Sequence, residues 1–243
     1  RGGFVFKNSA GVYSYLPLGW KVIEKINKII REEIDTIGGQ EMFMPALVEK
    51  KYLEPTGRWN VDIGLKVVSE SDLSKLQATS YKLQADFVLG WSHEEVLTAI
   101  ASRYVSSYKD LPFAAYQIQT KFRNEARAKS GLLRGREFMM KDLYSFHSSE
   151  KDLMMFYEKA KDAYLEIFKR CGLKALYTLA AGGVFTISNT HEFQVVSEVG
   201  EDTIYADENK KIAINKEVYN EENINKLGLD KNKLKEEITS SSS

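Results

Sequence analysis

Cysteine and histidine are scarce in this chain, and their scarcity argues against two kinds of site. The 243 residues include one cysteine, Cys171, so no disulfide framework can form and a reducing cytoplasm is the expected compartment. The three histidines, His93, His147 and His191, lie neither in an HExxH motif nor beside a cysteine pair. We therefore expect no zinc site, and for His93 and His147 we expect ordinary packing or polar contacts.

Long apolar runs and a net charge are also lacking. No run approaches the roughly 18 apolar residues that a transmembrane helix needs, and no signal peptide is visible, so we expect no membrane partner. Lysine and arginine together number 34, as do aspartate and glutamate. The chain as a whole therefore gives no argument for binding a nucleic acid, and any anion-binding surface must be local. With 43% hydrophobic residues, the chain can nevertheless bury a sizeable core.

Residues 116–147 show the clearest strand pattern. From Tyr116 to Glu125 one set of alternate positions is entirely polar, and a second alternating run extends from Arg136 to Phe146. A connection rich in basic residues, with two glycines, joins the two runs. The pattern predicts a long antiparallel hairpin with one polar face.

Positive charge is concentrated in the same hairpin. From Thr120 to His147 seven lysines and arginines stand against three acids, a net charge of +4. A positive face with an acid among its cations suits an anionic ligand that also carries hydrogen-bond donors, such as a nucleotide. A solvated edge hairpin with mixed charge explains the charges equally well.

The rest of the chain alternates between predicted helices and strands. Apolar spacing predicts three helices, at residues 20–37, from WSHEEV to Tyr108, and from Ser148 or Ser149 to Gly172, with short strands at 41–45, 87–90, 173–181 and 193–197. Ser92 and Glu95 have the spacing of a capping box for the second helix. We predict an α+β fold in which an antiparallel sheet is flanked by helices.

Several strings, in order, carry a resemblance to a known family. They are a helix and strand ending at Pro45, then GRW, WSHEEV, FRNE with a basic loop and GLLRGREFMMKDLYSFH, and finally THEF. Together they resemble the class II aminoacyl-tRNA synthetases, specifically the bacterial-type prolyl-tRNA synthetases, over about residues 1–220. The resemblance implies activation of proline with ATP, transfer of the prolyl group to tRNA(Pro), and a homodimer formed through the motif 1 region that ends at Pro45.

The resemblance also implies an ATP site on the hairpin. Arg123 would bridge the substrate carboxylate and the α-phosphate. Magnesium would bridge phosphate oxygens, and the sequence does not identify its protein ligands. The other implied ATP contacts are Glu125 to the adenine amino group, Phe138 to its ring, Arg134 and Gly135 to the outer phosphates, and Thr186 as a weaker match.

A proline site is implied beside the ATP site. Its expected members are Ser92, Glu94 and His191 at the polar end, Arg123 at the carboxylate, Met140 and Tyr144 along the ring, and Asp142 ordering the pocket. The family commonly has PTHEE where this chain has WSHEE, so Trp91 and Ser92 depart from its pattern. For Met140, Asp142 and Tyr144 there is an equal alternative: each could pack in the core, or could support residues that contact proline without contacting it directly.

The sequence also departs from a complete class II enzyme. It has no arginine after Arg170, so the arginine of the family's motif 3 is missing, and the class II sheet is expected to be incomplete at its C-terminal end. We expect a fragment that comprises a catalytic core at residues 1–206 and a polar linker or the start of a further segment at 207–243, without editing activity. Alternatives are a non-catalytic synthetase-like binding or regulatory protein, or a synthetase for another amino acid.

Overall fold

The computed structural model describes residues 2–70, 85–128, 131–182, 188–207 and 209–241. The chain divides into two compact units, Arg1–Tyr157 and Glu158–Ser243. Both contain helices and antiparallel strands, so the predicted α+β class is confirmed. None of the helices in the described part of the chain is long and apolar enough to cross a membrane.

The first unit is built from three small sheets with helices against them. Its elements are β1 (Val5–Ser9), β2 (Val12–Tyr15), α1 (Pro17–Thr36), β3 (Gly39–Glu41), β4 (Leu47–Glu49), α2 (Lys50–Leu53), β5 (Leu65–Val67), β6 (Phe87–Leu89), α3 (Glu94–Tyr104), β7 (Phe113–Phe122), β8 (Glu137–Phe146) and the start of α4 (Glu150–Arg170). Strands β1 and β2 form a hairpin, β6 lies between β4 and β5, and β7 lies between β3 and β8.

The predicted hairpin is the longest pairing in this unit. All ten residues of β7 pair with β8 in antiparallel register, from Phe113 opposite Phe146 to Phe122 opposite Glu137. Strand β3 adds to the other edge of β7 in parallel. Strand β7 ends three residues earlier than the alternation suggested, so Arg123 and Glu125 lie in the connection rather than on the strand.

Helix α1 matches its prediction closely, whereas the strand after it does not. Proline at position 17 occupies the first turn, and Gly38, at φ +91°, follows the helix end. The predicted strand 41–45 is wrong beyond Glu41. The backbone N–H of Met42 still donates to the carbonyl of Tyr116 on β7, but Met44 is bonded to side chains instead. Its N–H donates to the amide oxygen of Gln117, and its carbonyl accepts from the amide nitrogen of Gln119.

The main core of the first unit lies between β4, β6, α3 and β7. Its buried apolar residues are Met44, Val48, Leu53, Trp59, Ala85, Val88, Trp91, Val96, Leu97 and Ala115. Burying a valine, leucine or methionine side chain contributes roughly 1.5 to 3 kcal/mol to the free energy of folding. The core therefore anchors both the strand that precedes the WSHEE segment and the helix that follows it.

The second unit contains a closed five-stranded barrel. After the rest of α4 come β9 (Ala175–Ala180), β10 (Thr190–Val196), β11 (Asp202–Asp207), β12 (Ile212–Asn215), α5 (Glu221–Lys226) and β13 (Lys235–Ser241). The strands follow the order β10, β13, β11, β12, β9, and β9 pairs with β10 to complete the ring. Residues 209–241 thus contribute two strands and a helix to this unit. The division into a core at 1–206 and a following segment at 207–243 stays a prediction.

Candidate active site

The polar face of the hairpin is buried. Gln117, Gln119 and Lys121 on β7 are almost wholly inaccessible to solvent. Their partners on β8 are residues that the family resemblance had placed in a pocket, with Gln117 opposite Asp142, Gln119 opposite Met140 and Lys121 opposite Phe138. A solvated edge hairpin is therefore wrong for this face.

Lys121 and Asp142 form a buried ion pair on this face. The Lys121 Nζ lies 3.0 Å and 3.1 Å from the two carboxylate oxygens of Asp142 and 2.8 Å from the Nδ1 of His93. Burial lowers the pKa of Lys121, and the charge of Asp142 opposes that shift. Burial and the charge of Lys121 lower the pKa of His93, which favours a neutral ring. The Nε2 of that ring then donates to the carbonyl of Pro45, at 2.9 Å, and Nδ1 accepts from Lys121.

The WSHEE segment connects β6 to α3 and lies against the hairpin. The carbonyl of Gly90 accepts a hydrogen bond from the backbone N–H of Phe122. A Cβ added at Gly90 would come within 2.7 Å of the His93 ring, so only glycine fits there. The backbone N–H of His93 donates to the hydroxyl of Tyr144, at 3.1 Å. The hydroxyl of Ser92 donates to the Glu94 carboxylate. This loop therefore presents both predicted amino-acid contacts next to β8.

The predicted capping box of Ser92 and Glu95 is wrong. His93 occupies the N-cap position of α3 without a side-chain cap, and Glu95 instead accepts from Thr56 and Arg58. Arg58 also donates to Glu94, at 2.8 Å. The arginine of the GRW string, to which the sequence argument gave no role, thus joins the two adjacent glutamates.

Arg123 lies immediately after β7, with its guanidinium largely buried. Its Cζ is 5.2 Å from the centre of the Phe138 ring, and within the described residues its buried Nε has no hydrogen-bond partner. Burial lowers the pKa of Arg123, while Glu94 and Glu125 raise it. A buried cation with an unused donor, next to an aromatic face, is suited to binding an anionic group.

Glu125 and Arg134 contact each other in the connection between β7 and β8. The Nε of Arg134 donates to one carboxylate oxygen of Glu125 at 2.8 Å, and the backbone N–H of Arg127 donates to the other. These two bonds lower the pKa of Glu125, that from Arg134 most. Gly135 lies close to the backbone of Gly11, where an added Cβ would be 3.1 Å from the Gly11 carbonyl oxygen.

Most of the predicted site residues are thus brought together in the first unit. The contacts connect Ser92, Glu94, Arg123, Phe138, Asp142 and Tyr144, while Met140 shares their face and Glu125 pairs with Arg134. His191 lies in the second unit, where its ring stacks on Tyr177 at 4.3 Å and burial lowers its pKa. Thr186 lies outside the described residues. The sequence argument gave no site role to Lys121, His93 or Arg58, although an unbroken polar face on a strand was a signal for Lys121.

In the ranges that the structure describes, no group of three or more histidine, cysteine, aspartate or glutamate side chains could hold a metal ion. Magnesium in nucleotide sites commonly takes most of its coordination from phosphate oxygens and water.

The class of protein follows from a comparison with known families. A family model, tRNA synthetase class II core domain (G, H, P, S and T), matches residues 78–232. The chain belongs to this family.

Individual relatives with high sequence identity are proline–tRNA ligases. The chain is 47% identical to the proline–tRNA ligase of Geobacillus kaustophilus over 208 residues, which are 85% of this chain and 35% of the relative. It is 45% identical to the proline–tRNA ligase of Bacillus subtilis over 214 residues, 88% of this chain and 36% of the relative. The chain therefore spans about a third of the length of these relatives.

Solved structures agree on the fold. The prolyl-tRNA synthetase of Cryptosporidium parvum, complexed with L-proline and AMP, superposes with a TM-score of 0.65 at 17% identity, covering 80% of this chain and 38% of that one. The same enzyme complexed with halofuginone and AMPPNP gives a TM-score of 0.66, with the same identity and coverage. At this identity the likeness concerns the fold alone.

Proposed function

We propose that the protein containing this chain is a proline–tRNA ligase. In its first step a carboxylate oxygen of proline attacks the α-phosphorus of ATP, giving prolyl-adenylate and releasing pyrophosphate. In its second step a hydroxyl at the end of tRNA(Pro) attacks the prolyl carbonyl and releases AMP. The observation that carries the proposal is the position of Arg123, a largely buried guanidinium whose Nε has no hydrogen-bond partner among the described residues, against Phe138 and near Glu94.

Arg123 is the proposed catalytic residue. Its planar fork can donate to the proline carboxylate and to the α-phosphate at once, and it neutralises negative charge that grows in the transition state. Its burial makes this stabilisation stronger than it would be in water, because the local dielectric constant is low. Removing one preorganised donor of this kind typically lowers kcat by about 10² to 10³.

The proposed adenine and phosphate contacts lie in the connection between β7 and β8 and at the start of β8. Glu125 would accept a hydrogen bond from the adenine amino group, and Phe138 would stack on the adenine ring. Arg134 and the backbone of Gly135 would bind the outer phosphates. In the structure Glu125 and Arg134 form an ion pair. Because this pair lies near the surface, exchanging it for contacts with ATP costs little. Magnesium, bound with ATP, would supply further neutralisation of the phosphates.

The proposed amino-acid contacts come from the WSHEE segment and from β8. Glu94, with Ser92 bonded to it, would accept the secondary ammonium of proline. Arg58 and Ser92 both donate to Oε2 of Glu94, and this arrangement points to Oε1 as the oxygen for the ammonium. Met140 would line the ring, and His191 is proposed as a further contact of proline.

A homodimer in the cytoplasm completes the proposal. The motif 1 region and the residues before it expose several large apolar side chains, namely Phe4, Phe6, Leu18, Trp20, Val22 and Phe43. Exposed apolar groups of this extent commonly mark a protein interface. They support dimerisation through this region.

The direct test is proline-dependent exchange of pyrophosphate into ATP by the full-length protein. The proposal expects exchange with proline and, in the Arg123→Lys variant, a loss of about 10² to 10³. No exchange with proline, but exchange with another amino acid, would refute the substrate assignment. A folded protein that binds its ligands but shows no exchange with any amino acid would favour the non-catalytic alternative.

A further inference from the structure

Tyr144, a residue on β8 whose hydroxyl makes two hydrogen bonds, connects the hairpin to the loop of Ser92 and Glu94. It accepts the backbone N–H of His93 at 3.1 Å and donates to the Asp142 carboxylate at 2.7 Å. The directions are determined by chemistry, because an amide N–H can only donate and the hydroxyl has a single proton. Its donor is therefore committed within the protein.

His93 is held at three of its polar groups. Its backbone N–H reaches Tyr144, its Nδ1 accepts from Lys121 at 2.8 Å, and its Nε2 donates to the Pro45 carbonyl at 2.9 Å. The side chain is fully buried, and Gly90 leaves room for the ring. Ser92 and Glu94 are the residues on either side, so their positions depend on this clamp.

Asp142 holds the other end of the arrangement. Its carboxylate accepts from Gln117 at 3.0 Å and pairs with Lys121, in addition to accepting from Tyr144. It is nearly inaccessible to solvent. The hydrogen bonds from Gln117, Lys121 and Tyr144 all go to Oδ2, while Oδ1 lies 3.0 Å from the Lys121 ammonium and has no hydrogen-bond partner among the described residues. A carboxylate that three side chains of the same hairpin hold in this way is suited to orienting its neighbours.

We propose that Tyr144, Asp142 and Lys121 are positioning residues, which fix the Ser92–Glu94 loop through His93 and do not themselves contact the amino acid. The inference rests on the proposed function for the identity of the amino acid. It differs from the family resemblance for Tyr144, which was expected along the proline ring, and it specifies the residues through which Asp142 orders the pocket.

The experiment compares Tyr144→Phe with Tyr116→Phe in the full-length protein. Tyr116, on the opposite face of β7, is fully buried, whereas Tyr144 is partly buried. Tyr116 donates to Asp35 at the same distance, 2.7 Å. Both variants lose one hydroxyl and one hydrogen bond to a carboxylate, but only Tyr144 contacts the loop. In Tyr144→Phe, Asp142 still has Lys121 and Gln117, so the fold is expected to survive.

Two readouts are combined. In ligand-free protein, hydrogen exchange of the amides at residues 91–94 is expected to accelerate in Tyr144→Phe and to stay unchanged in Tyr116→Phe. In pyrophosphate exchange, Tyr144→Phe is expected to raise the KM for proline about 2- to 10-fold with the KM for ATP unchanged, as the loss of one hydrogen bond implies. His93→Gln, which opens the clamp from the loop side, is expected to give the same pattern and replaces Tyr144→Phe should that variant not fold.

Two outcomes would overturn the inference. One is unchanged amide exchange at 91–94 with a raised KM for proline, since Tyr144 would then contact the substrate directly. The other is an equal effect of Tyr144→Phe and Tyr116→Phe on the loop. Failure of the parent protein to use proline would instead refute the proposed function, while the amide exchange would still decide the positioning role.

Discussion

Two pairs of opposite charge occupy one hairpin, and they differ chiefly in burial. Lys121 and Asp142, on the strands, have side chains that are 0% and 9% exposed, whereas Arg134 and Glu125, in the connection, are 48% and 20% exposed. Neither of two buried charges can be hydrated if the pair separates, so separation has a high free-energy cost and the pair stays together. The pair in the connection can exchange its partner for a ligand. The comparison indicates that burial decides which charges organise the site and which bind.

The largest effect is expected from breaking the buried pair. Asp142→Asn leaves the Lys121 ammonium without a counterion in a site closed to water, and should lower the free energy of unfolding by about 3 to 5 kcal/mol. Urea denaturation followed by circular dichroism measures this. Adding Lys121→Met to Asp142→Asn should recover part of the loss because no buried charge remains. A double variant no more stable than the single one would contradict this account.

A smaller free-energy effect is expected at Arg123, which lies at the end of β7 between the two pairs. Arg123→Lys keeps the charge but loses the planar fork, and should reduce proline-dependent pyrophosphate exchange by about 10² to 10³ with little change in stability. Arg103→Lys, on the exposed surface of α3, is the matched control and should retain full activity. Equal activity of both variants would remove Arg123 from the catalytic role.

Neutralising the exposed pair should have a smaller effect still. Glu125→Gln should change the free energy of unfolding by less than about 1 kcal/mol, in contrast to Asp142→Asn. The same variant should raise the KM for ATP about 2- to 10-fold, since the proposed acceptor for the adenine amino group is weakened, with the KM for proline unchanged. A destabilisation as large as that of Asp142→Asn would break the contrast between the pairs.

The smallest expected effect is a change in titration. The pKa of Glu125 is lowered by Arg134 and by the Arg127 amide, so the stabilisation from these contacts is present above the ordinary glutamate pKa and is lost as the pH falls through the lowered one. Arg134→Gln should raise the pKa of Glu125 part of the way back, because the Arg127 amide remains. Carboxyl chemical shifts measure this, with Arg103→Gln as a variant that should leave Glu125 unchanged.

Local patterns predicted much of the fold. The spacing of apolar residues placed α1 and α4 to within a few residues, and Ser149 caps α4 as expected, accepting the backbone N–H of Asp152. The failures occurred where side chains compete for backbone groups. Met44 is bonded by two glutamine side chains instead of a strand, and the segment before α3 uses tertiary contacts instead of a capping box. Such contacts join residues that lie far apart along the chain.

The sequence by itself determined which residues share a face of the hairpin, because side chains alternate strictly along a strand. It also determined the motif strings that mark the class II family. Only the tertiary structure decided that the polar face is buried and that His93 is clamped between Lys121, Tyr144 and Pro45. Burial and partner choice depend on elements that the chain brings together from distant positions, and a local pattern does not contain that information.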